Sequence, residues 1–376
     1  MSDPLATDRF FDMAVDMLCL AGTDGYFKVL NPAWEACLGW SVDELQAQPY
    51  VKFVHPDDRA RTIEEAMGLA LGASTVRFQN RFRTKGGGYR WLSWSAAPAN
   101  VDGIIYAAAR DVTDEVLAEH ASRELNAEQL SRIHAVLATP SIEPVYQPIV
   151  RLQDGVVDAV EALARFTKPP VRPPNLWFVE AESVGLRTEL ELHALRAALS
   201  NLPALPASVS LAANVSPMTL TSRSFSRLIG EVDSSRIIVE VTENAAVEDY
   251  DRLHRAIEPL RRRGVTLAID DAGAGFSSLS HIVHLLPEHI KLDRSLVHGI
   301  DSDPVKRALA SALRTFADAI GASLVAEGIE TEGELRAVEE LGVACGQGYL
   351  LGRPARINKL GGLLLRGGDD ALTAAS

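Results

Sequence analysis

Two acids stand side by side in the stretch VTLAIDDAGAGFSSLS, residues 265–280, where a short apolar run ends at Asp270 and Asp271 before a glycine-rich turn. Adjacent carboxylates repel each other and lose hydration when buried, so the pair needs a neutralising partner: a lysine or arginine, a helix N-terminus or a metal ion. Similar endings recur along the chain. Short apolar runs close on Glu161, on Asn214, on Glu240, on Lys291 with Asp293, and on Glu327. Each one alone reads as a helix cap or a solvated loop residue. Gathered at one end of one sheet, they make an all-oxygen donor set around a single lysine. That set suits hard divalent cations, Mg²⁺ or Mn²⁺, rather than zinc. Two such cations bridged by an aspartate activate a water and neutralise a phosphoryl oxygen in an in-line displacement. The paired acids are therefore expected to share the metals, with a lysine holding the water or the developing charge and a further glutamate taking the proton.

The elements that must position these groups follow from the apolar pattern. Between about residues 140 and 355, short apolar runs alternate with longer helical stretches such as ELELHALRAALSNL and DPVKRALASALRTFADAIG. Repeated strand-then-helix units imply a mostly parallel sheet covered by helices. Eight candidate strands, PVYQPIV, VDAVEALARF, VSLAANVS, RIIVEVTE, VTLAIDD, HIKLD, SLVAEGIE and QGYLLG, predict a closed α/β barrel of the TIM-like (β/α)8 kind. Counting back by two from Asp270 gives Ala268 and Thr266; from Glu327, Val325 and Ser323; from Asn214, Ala212 and Ser210. The functional groups thus share the smaller, inward face of their strands, and the C-terminal mouth of the barrel is where they would converge.

The N-terminal region is different. Turn signals at GTDGY and TKGGGYR separate the strand-like runs YFKVLN, VRFQNRF, YRWLSWSAAP and GIIYAAARDV, with helices at PAWEACLGW and PDDRARTIEEAMGLAL, which predicts an α+β domain. The polar stretch that follows carries apolar residues at Leu117, Ala121, Leu125, Leu130, Ile133 and Leu137. It reads equally as a surface helix joining two domains and as a signalling helix that pairs with its copy. The expected boundaries are 8–115 for the first domain, 116–139 for the connecting helix, 140–358 for the barrel and 359–376 for a weakly ordered tail.

Composition narrows the class. A chain of 376 residues is long for one domain and comfortable for two. A net charge of −13 argues against a nucleic-acid polymer or an anionic membrane as partner, while metal ions would still allow a phosphorylated small molecule to bind. No apolar run reaches membrane-spanning length, and MSDPLATDRFFDM has no basic region followed by an apolar one, so neither a transmembrane helix nor a signal peptide is expected. Cys19, Cys37 and Cys345 are scattered and form no metal-ligand cluster, which points to a reducing compartment and a cytoplasmic location.

At residues 161–166, EALARF resembles the signature of the EAL domain, the phosphodiesterases that linearise cyclic di-GMP. The resemblance continues in order through YQPIV at 146–150, NVSPMTL at 214–220, EVTEN at 240–244, DDAGAGFSSL at 270–279, IKLDRSLV at 290–297, VAEGIET at 325–331 and GQGYLLGRP at 346–354. It implies that Glu161, Asn214, Glu240 and Asp270 are ligands of one metal, and that Asp270 and Asp271 supply a second, with Asp293 nearby. It further implies that Lys291 contacts the catalytic water and that Glu327 is the general base. By the same resemblance Gln147, Arg165 and Gln347 touch the dinucleotide, and Glu243 anchors the loop after the aspartates. The chain departs from the family at Ala272 and Ala274, where phenylalanine and threonine are common, and at Ala164 and Phe166. The loop substitutions bear on turnover rather than on metal binding.

The N-terminal region is similar to a PAS sensor domain through DGYFKVLNPAWEACLGWSVDEL, VHPDD, RFRTKGGGYRWLSWSAAP and AARDVTDE. His55 in VHPDD reads as a structural histidine rather than a haem ligand. No GG[DE]EF-type cyclase signature occurs. Together the two resemblances imply a PAS-regulated, homodimeric enzyme that hydrolyses cyclic di-GMP to pGpG with two Mg²⁺ or Mn²⁺ ions. The alternative is a non-catalytic cyclic di-GMP receptor acting through a partner protein.

Overall fold

In the first unit, strands form where apolar residues alternate and glycine turns punctuate them. The structure, a computed structural model, describes residues 4–242, 249–272 and 276–360. Glu243, Ala274 and the tail beyond residue 360 lie outside the described residues. The chain divides into two compact units, Met1–Leu125 and Asn126–Ser376.

The first unit is built on an antiparallel sheet of five strands: β1 Met17–Gly22, β2 Phe27–Leu30, β3 Thr75–Arg83, β4 Tyr89–Ala96 and β5 Ile104–Asp111, in the order β2-β1-β5-β4-β3. Four of these match the sequence reading. The fifth, β1, was not expected, because MLCLAG has no polar alternation to mark it as a strand. Phe27, Trp34, Phe53 and Phe82 fill the core, all at most 3% exposed, with Trp94 packed at its margin. His55 accepts a hydrogen bond at Nδ1 from the backbone N–H of Asp57 and opens the short helical turn 56–58, a structural task.

The second unit is a closed barrel of eight strands: β6 Val145–Arg151, β7 Val157–Leu163, β8 Ser210–Asn214, β9 Ile237–Thr242, β10 Thr266–Ala272, β11 His289–Leu292, β12 Ser323–Ala326 and β13 Cys345–Gly346. β6 runs antiparallel to both its neighbours, β7 and β13. The segment 152–156 is too short for a crossover and makes β6 and β7 a hairpin, with Gly155 at φ 69° in the turn. The last strand also differs from the expected QGYLLG. It ends at Gly346, because the next stretch folds against Ile329: a Cβ on Gly348 would stand 2.1 Å from the Ile329 carbonyl oxygen.

The barrel interior holds its own small core, made of Ile149, Ala159, Ala212, Ile238, Ala268 and Val325. The bulky residues of the same strands, among them Val160, Leu211, Val239, Leu267, Ile269, Ile290 and Leu324, join the larger core under the helices. Branched residues alternating with alanines fill the interior of the narrow barrel, so the inward face is not uniformly the smaller one that the sequence pattern suggests. The inward row directly above this core is Gln147, Glu161, Asn214, Glu240, Asp270, Lys291, Glu327 and Gln347.

The helix Thr113–Leu137 is continuous. Leu117, Leu125 and Leu130 are exposed, whereas Ile133 and Val136 are buried with Ile142, Trp177 and Leu190 against the barrel. No helix among the described residues is long and apolar enough to cross a membrane.

Candidate metal centre

Lys291 is the hub of the barrel mouth. β11 carries it inward on a short strand between β10 and β12, and its side chain is 2% exposed. The ammonium lies 2.5 Å from Glu327, 3.0 Å from Glu240, 3.3 Å from Asp270 and 3.7 Å from Glu161. Three strands, and the residue just past the end of β12, thus each aim one carboxylate at a single cation.

Two amides complete the ring. The Asn214 side chain donates to Glu161 at 3.0 Å and to Glu240 at 3.3 Å. Gln347 donates to Glu161 at 2.6 Å and to Gln147 at 3.2 Å, and Gln147 in turn donates to the Gly352 carbonyl at 3.1 Å. These bonds fix the orientation of Glu161 from two sides.

Asp270 and Asp271 follow each other on β10, and on a regular strand they would point to opposite faces. The ladder to β11 is interrupted between Ile269 and Ala272, and Asp271 takes the left-handed conformation, φ 58°. The irregularity re-aims the second carboxylate. Asp270, Asp271 and Glu327 consequently each offer an oxygen within 4.8 Å of the others.

The electrostatics follow from this crowding. Burial works against the Lys291 ammonium, but Glu161, Glu240, Glu327 and Asp270 outweigh it and hold the lysine well above its ordinary range. Burial pushes Glu240 well above the usual carboxylate value, with Lys291 opposing and Glu161, Asp270 and Glu327 adding to the rise. Glu327 is pushed up to about 8, again by burial first, with Asp270 and Glu161 adding to it against the pull of Lys291. One lysine does not balance this many acids. The all-oxygen donors and the excess of buried negative charge fit hard divalent cations. Glu161, Asn214, Glu240, Asp270 and Asp271 are the residues that could hold them.

Not every expected residue joins the ring. Asp293 follows β11 and caps the helical turn Arg294–Val297, its Oδ1 accepting from the Ser295 N–H at 2.9 Å and from the Ser295 hydroxyl. Arg165 lies exposed beyond β7, its guanidinium donating to the Ala164 carbonyl at 2.9 Å. Sequence reasoning passed over Arg294, Glu330 and Tyr349, which with Gln147, Glu327 and Gln347 line an open cleft of roughly 200 Å³ beside the ring. Arg294 pairs with Glu330 at 2.8 Å, and Arg353 stacks on Tyr349 at 4.3 Å. Their signal was weak, because single charged or aromatic loop residues are common on any surface.

Residues 129–354 match the model of the EAL domain, and residues 27–107 that of a PAS fold. The chain belongs to the EAL domain family. Over 223 residues it is 33% identical to the cyclic di-GMP phosphodiesterase RocR of Pseudomonas aeruginosa, covering 56% of this chain and 57% of RocR. Among solved structures it is similar to the PaMucR phosphodiesterase in complex with c-di-GMP, at TM-score 0.56 and 29% identity, over 62% of this chain and 99% of that one. It is also similar to Klebsiella pneumoniae BlrP1 with manganese and cy-diGMP, at TM-score 0.51 and 29% identity, over 57% of this chain and 56% of that one. The chain spans only 28% and 29% of the length of two further relatives, from Caulobacter vibrioides and Sinorhizobium fredii. An EAL barrel preceded by a PAS fold is thus the architecture.

Proposed function

We propose that the EAL barrel hydrolyses one phosphodiester of cyclic di-GMP to give linear pGpG, using two Mg²⁺ or Mn²⁺ ions, and that the PAS domain regulates it within a homodimer. The observation that carries this reading is the convergence of Asp270, Asp271 and Glu327 beside the buried Lys291. Relatives named as cyclic di-GMP phosphodiesterases, and a solved relative bound to manganese and the dinucleotide, support it.

Bound at these carboxylates, the cations would supply Lewis acidity toward the phosphoryl oxygen and lower the pKa of a water. The remaining work falls to the chain. Lys291, fixed by its carboxylate partners, sits where negative charge would develop on the attacking oxygen. Glu327, at the rim of the same group, is placed to take the proton of that water. The water oxygen then bonds to phosphorus as the bond from phosphorus to the 3′ oxygen breaks; the departing 3′ oxygen takes up a proton from solvent, and Glu327 returns its own to solvent. Gln147 and Gln347 face the adjoining cleft, and the exposed Arg165 has the chemistry to bind a phosphate or a guanine edge.

The test is turnover of cyclic di-GMP by the purified chain with Mg²⁺ or Mn²⁺, beside a Glu327→Ala variant and a calcium control. Formation of pGpG by the wild type and its loss in the variant are expected. Binding of the dinucleotide without cleavage under every metal would replace this reading by that of a non-catalytic receptor.

A further inference from the structure

The ring of ligands is held from behind by a second set of buried charges. Glu191, on the helix Arg187–Leu199, is 5% exposed. One of its oxygens accepts from the backbone N–H of Ser216 at 3.1 Å and from the Ser216 hydroxyl at 2.7 Å; the other accepts from Arg187 Nε at 2.7 Å. Ser216 caps the turn Pro217–Leu220 and stands two residues beyond Asn214, the amide that bridges Glu161 and Glu240. Between them, Val215 donates its N–H to the Glu240 carbonyl at 2.9 Å. Ser216 already caps the turn through its own hydroxyl. A buried carboxylate holding the cap residue by its N–H and hydroxyl is a costly addition, and it makes a charged anchor.

The anchor extends outward. Arg187 also pairs with Glu182 at 2.8 Å, and Glu182 lies on the helix Pro174–Ser183. The same helix carries Glu180, 4% exposed, which pairs with Arg132 of the connecting helix at 2.7 Å. A run of ion pairs and one rigid helix therefore joins the connecting helix to the turn behind Asn214.

We propose that Glu191 is a positioning residue that sets the place of Asn214 in the metal centre, and that Arg132 acts on the same turn through this run. The inference rests on the reading of the ring as a divalent-metal site and adds a route by which the connecting helix biases its affinity. Partners that orient ligands are worth about a tenfold to hundredfold change in metal affinity.

The measurement is Mn²⁺ binding to the full chain by titration calorimetry, with thermal melting in EDTA recorded for each variant. Glu191→Gln and Ser216→Ala should each weaken Mn²⁺ binding by about tenfold while the protein still melts cooperatively. Should Glu191→Gln fail to fold, Ser216→Ala, which removes a single hydroxyl, carries the test. Arg132→Gln should weaken binding in the wild-type background and add nothing in the Glu191→Gln background. Leu202→Ala, a core truncation away from the ring, should lower the melting temperature and leave Mn²⁺ binding unchanged. Unchanged affinity in Ser216→Ala, or an equal loss in Leu202→Ala, overturns the positioning role. An Arg132 effect that is absent or simply additive overturns the route to the connecting helix. If wild type binds no Mn²⁺, the metal reading itself falls and takes this inference with it. If wild type binds Mn²⁺ but leaves cyclic di-GMP intact, the hydrolase reading falls and the inference stands.

Discussion

The backbone N–H of Asp271 donates to Oδ1 of Asp270 at 3.1 Å, and Asp271 makes that bond from a left-handed conformation. The arrangement turns two consecutive strand residues toward one centre. Aspartate and asparagine tolerate this conformation better than other residues with a Cβ, for which it costs about 1–2 kcal/mol. Asp271→Asn should therefore keep the fold while lowering Mn²⁺ affinity by about tenfold or more. Asp271→Val should lose the affinity and also destabilise the chain. Equal Mn²⁺ affinity in wild type and Asp271→Asn, measured by calorimetry, would remove Asp271 from the ligand set.

Lys291 compensates four carboxylates, so its removal acts on stability before it acts on chemistry. Lys291→Met keeps the volume and deletes the charge, leaving buried acids unpaired. A loss of about 3–5 kcal/mol is expected in EDTA, as for other broken buried pairs. Saturating Mn²⁺ should restore much of it by supplying positive charge to the same oxygens. Urea unfolding of the variant with EDTA and with Mn²⁺ reads both effects. A loss that Mn²⁺ does not reduce would mean that the metal does not sit among these acids.

Much of this site was legible because barrels place function by parity. Once Asp270, Glu327 and Asn214 were seen to share a face with Ala268, Val325 and Ala212, the mouth was implied. The geometry at Asp271 was not legible, since a ladder irregularity leaves no mark in an alternating pattern. The antiparallel start of the barrel is hidden for a related reason: an apolar run marks a strand but carries no mark of its direction. β13 was misplaced because glycines at 346, 348 and 352 mimic the punctuation of a strand while serving close backbone approach. Glu191 was invisible as a functional residue, because a helical glutamate reads as solvated until the fold buries it.

The inner core constrains the site by volume. Ala268 is 1% exposed and lies two residues below Asp270, packed with Ala212, Ile238 and Val325. Ala268→Leu adds side-chain volume where neighbouring strands leave no room to shift. It should cost about 1–3 kcal/mol in denaturant unfolding. Because the added atoms push on the strand carrying Asp270, Mn²⁺ affinity should fall as well. A variant as stable as wild type would show that the barrel interior has slack.

The pH dependence of stability has a definite sign. Burial raises Glu327 to about 8, with help from Asp270 and Glu161 and against Lys291, and burial raises Glu240 in the same direction. Between the ordinary carboxylate range and about pH 8, the native chain holds protons at these groups that the unfolded chain has released, so stability falls as pH rises through that window. The acids held low by arginine partners, Asp16 and Asp58, act in the opposite sense, but their contribution is complete once pH exceeds the ordinary carboxylate range. Lys291, held well above its ordinary range, contributes stability that is lost only at more alkaline pH. His289, held low by burial, adds stability as pH rises only up to its ordinary value. In EDTA the urea midpoint should therefore drop between about pH 6.5 and pH 8.5, and Glu327→Gln should flatten the drop. Mn²⁺ takes the place of these protons, so its affinity should climb over the same range and erase the decline. A metal-free midpoint that holds level or rises across that window would mean that the acids around Lys291 are already ionised in the native chain, and that the lysine alone balances them.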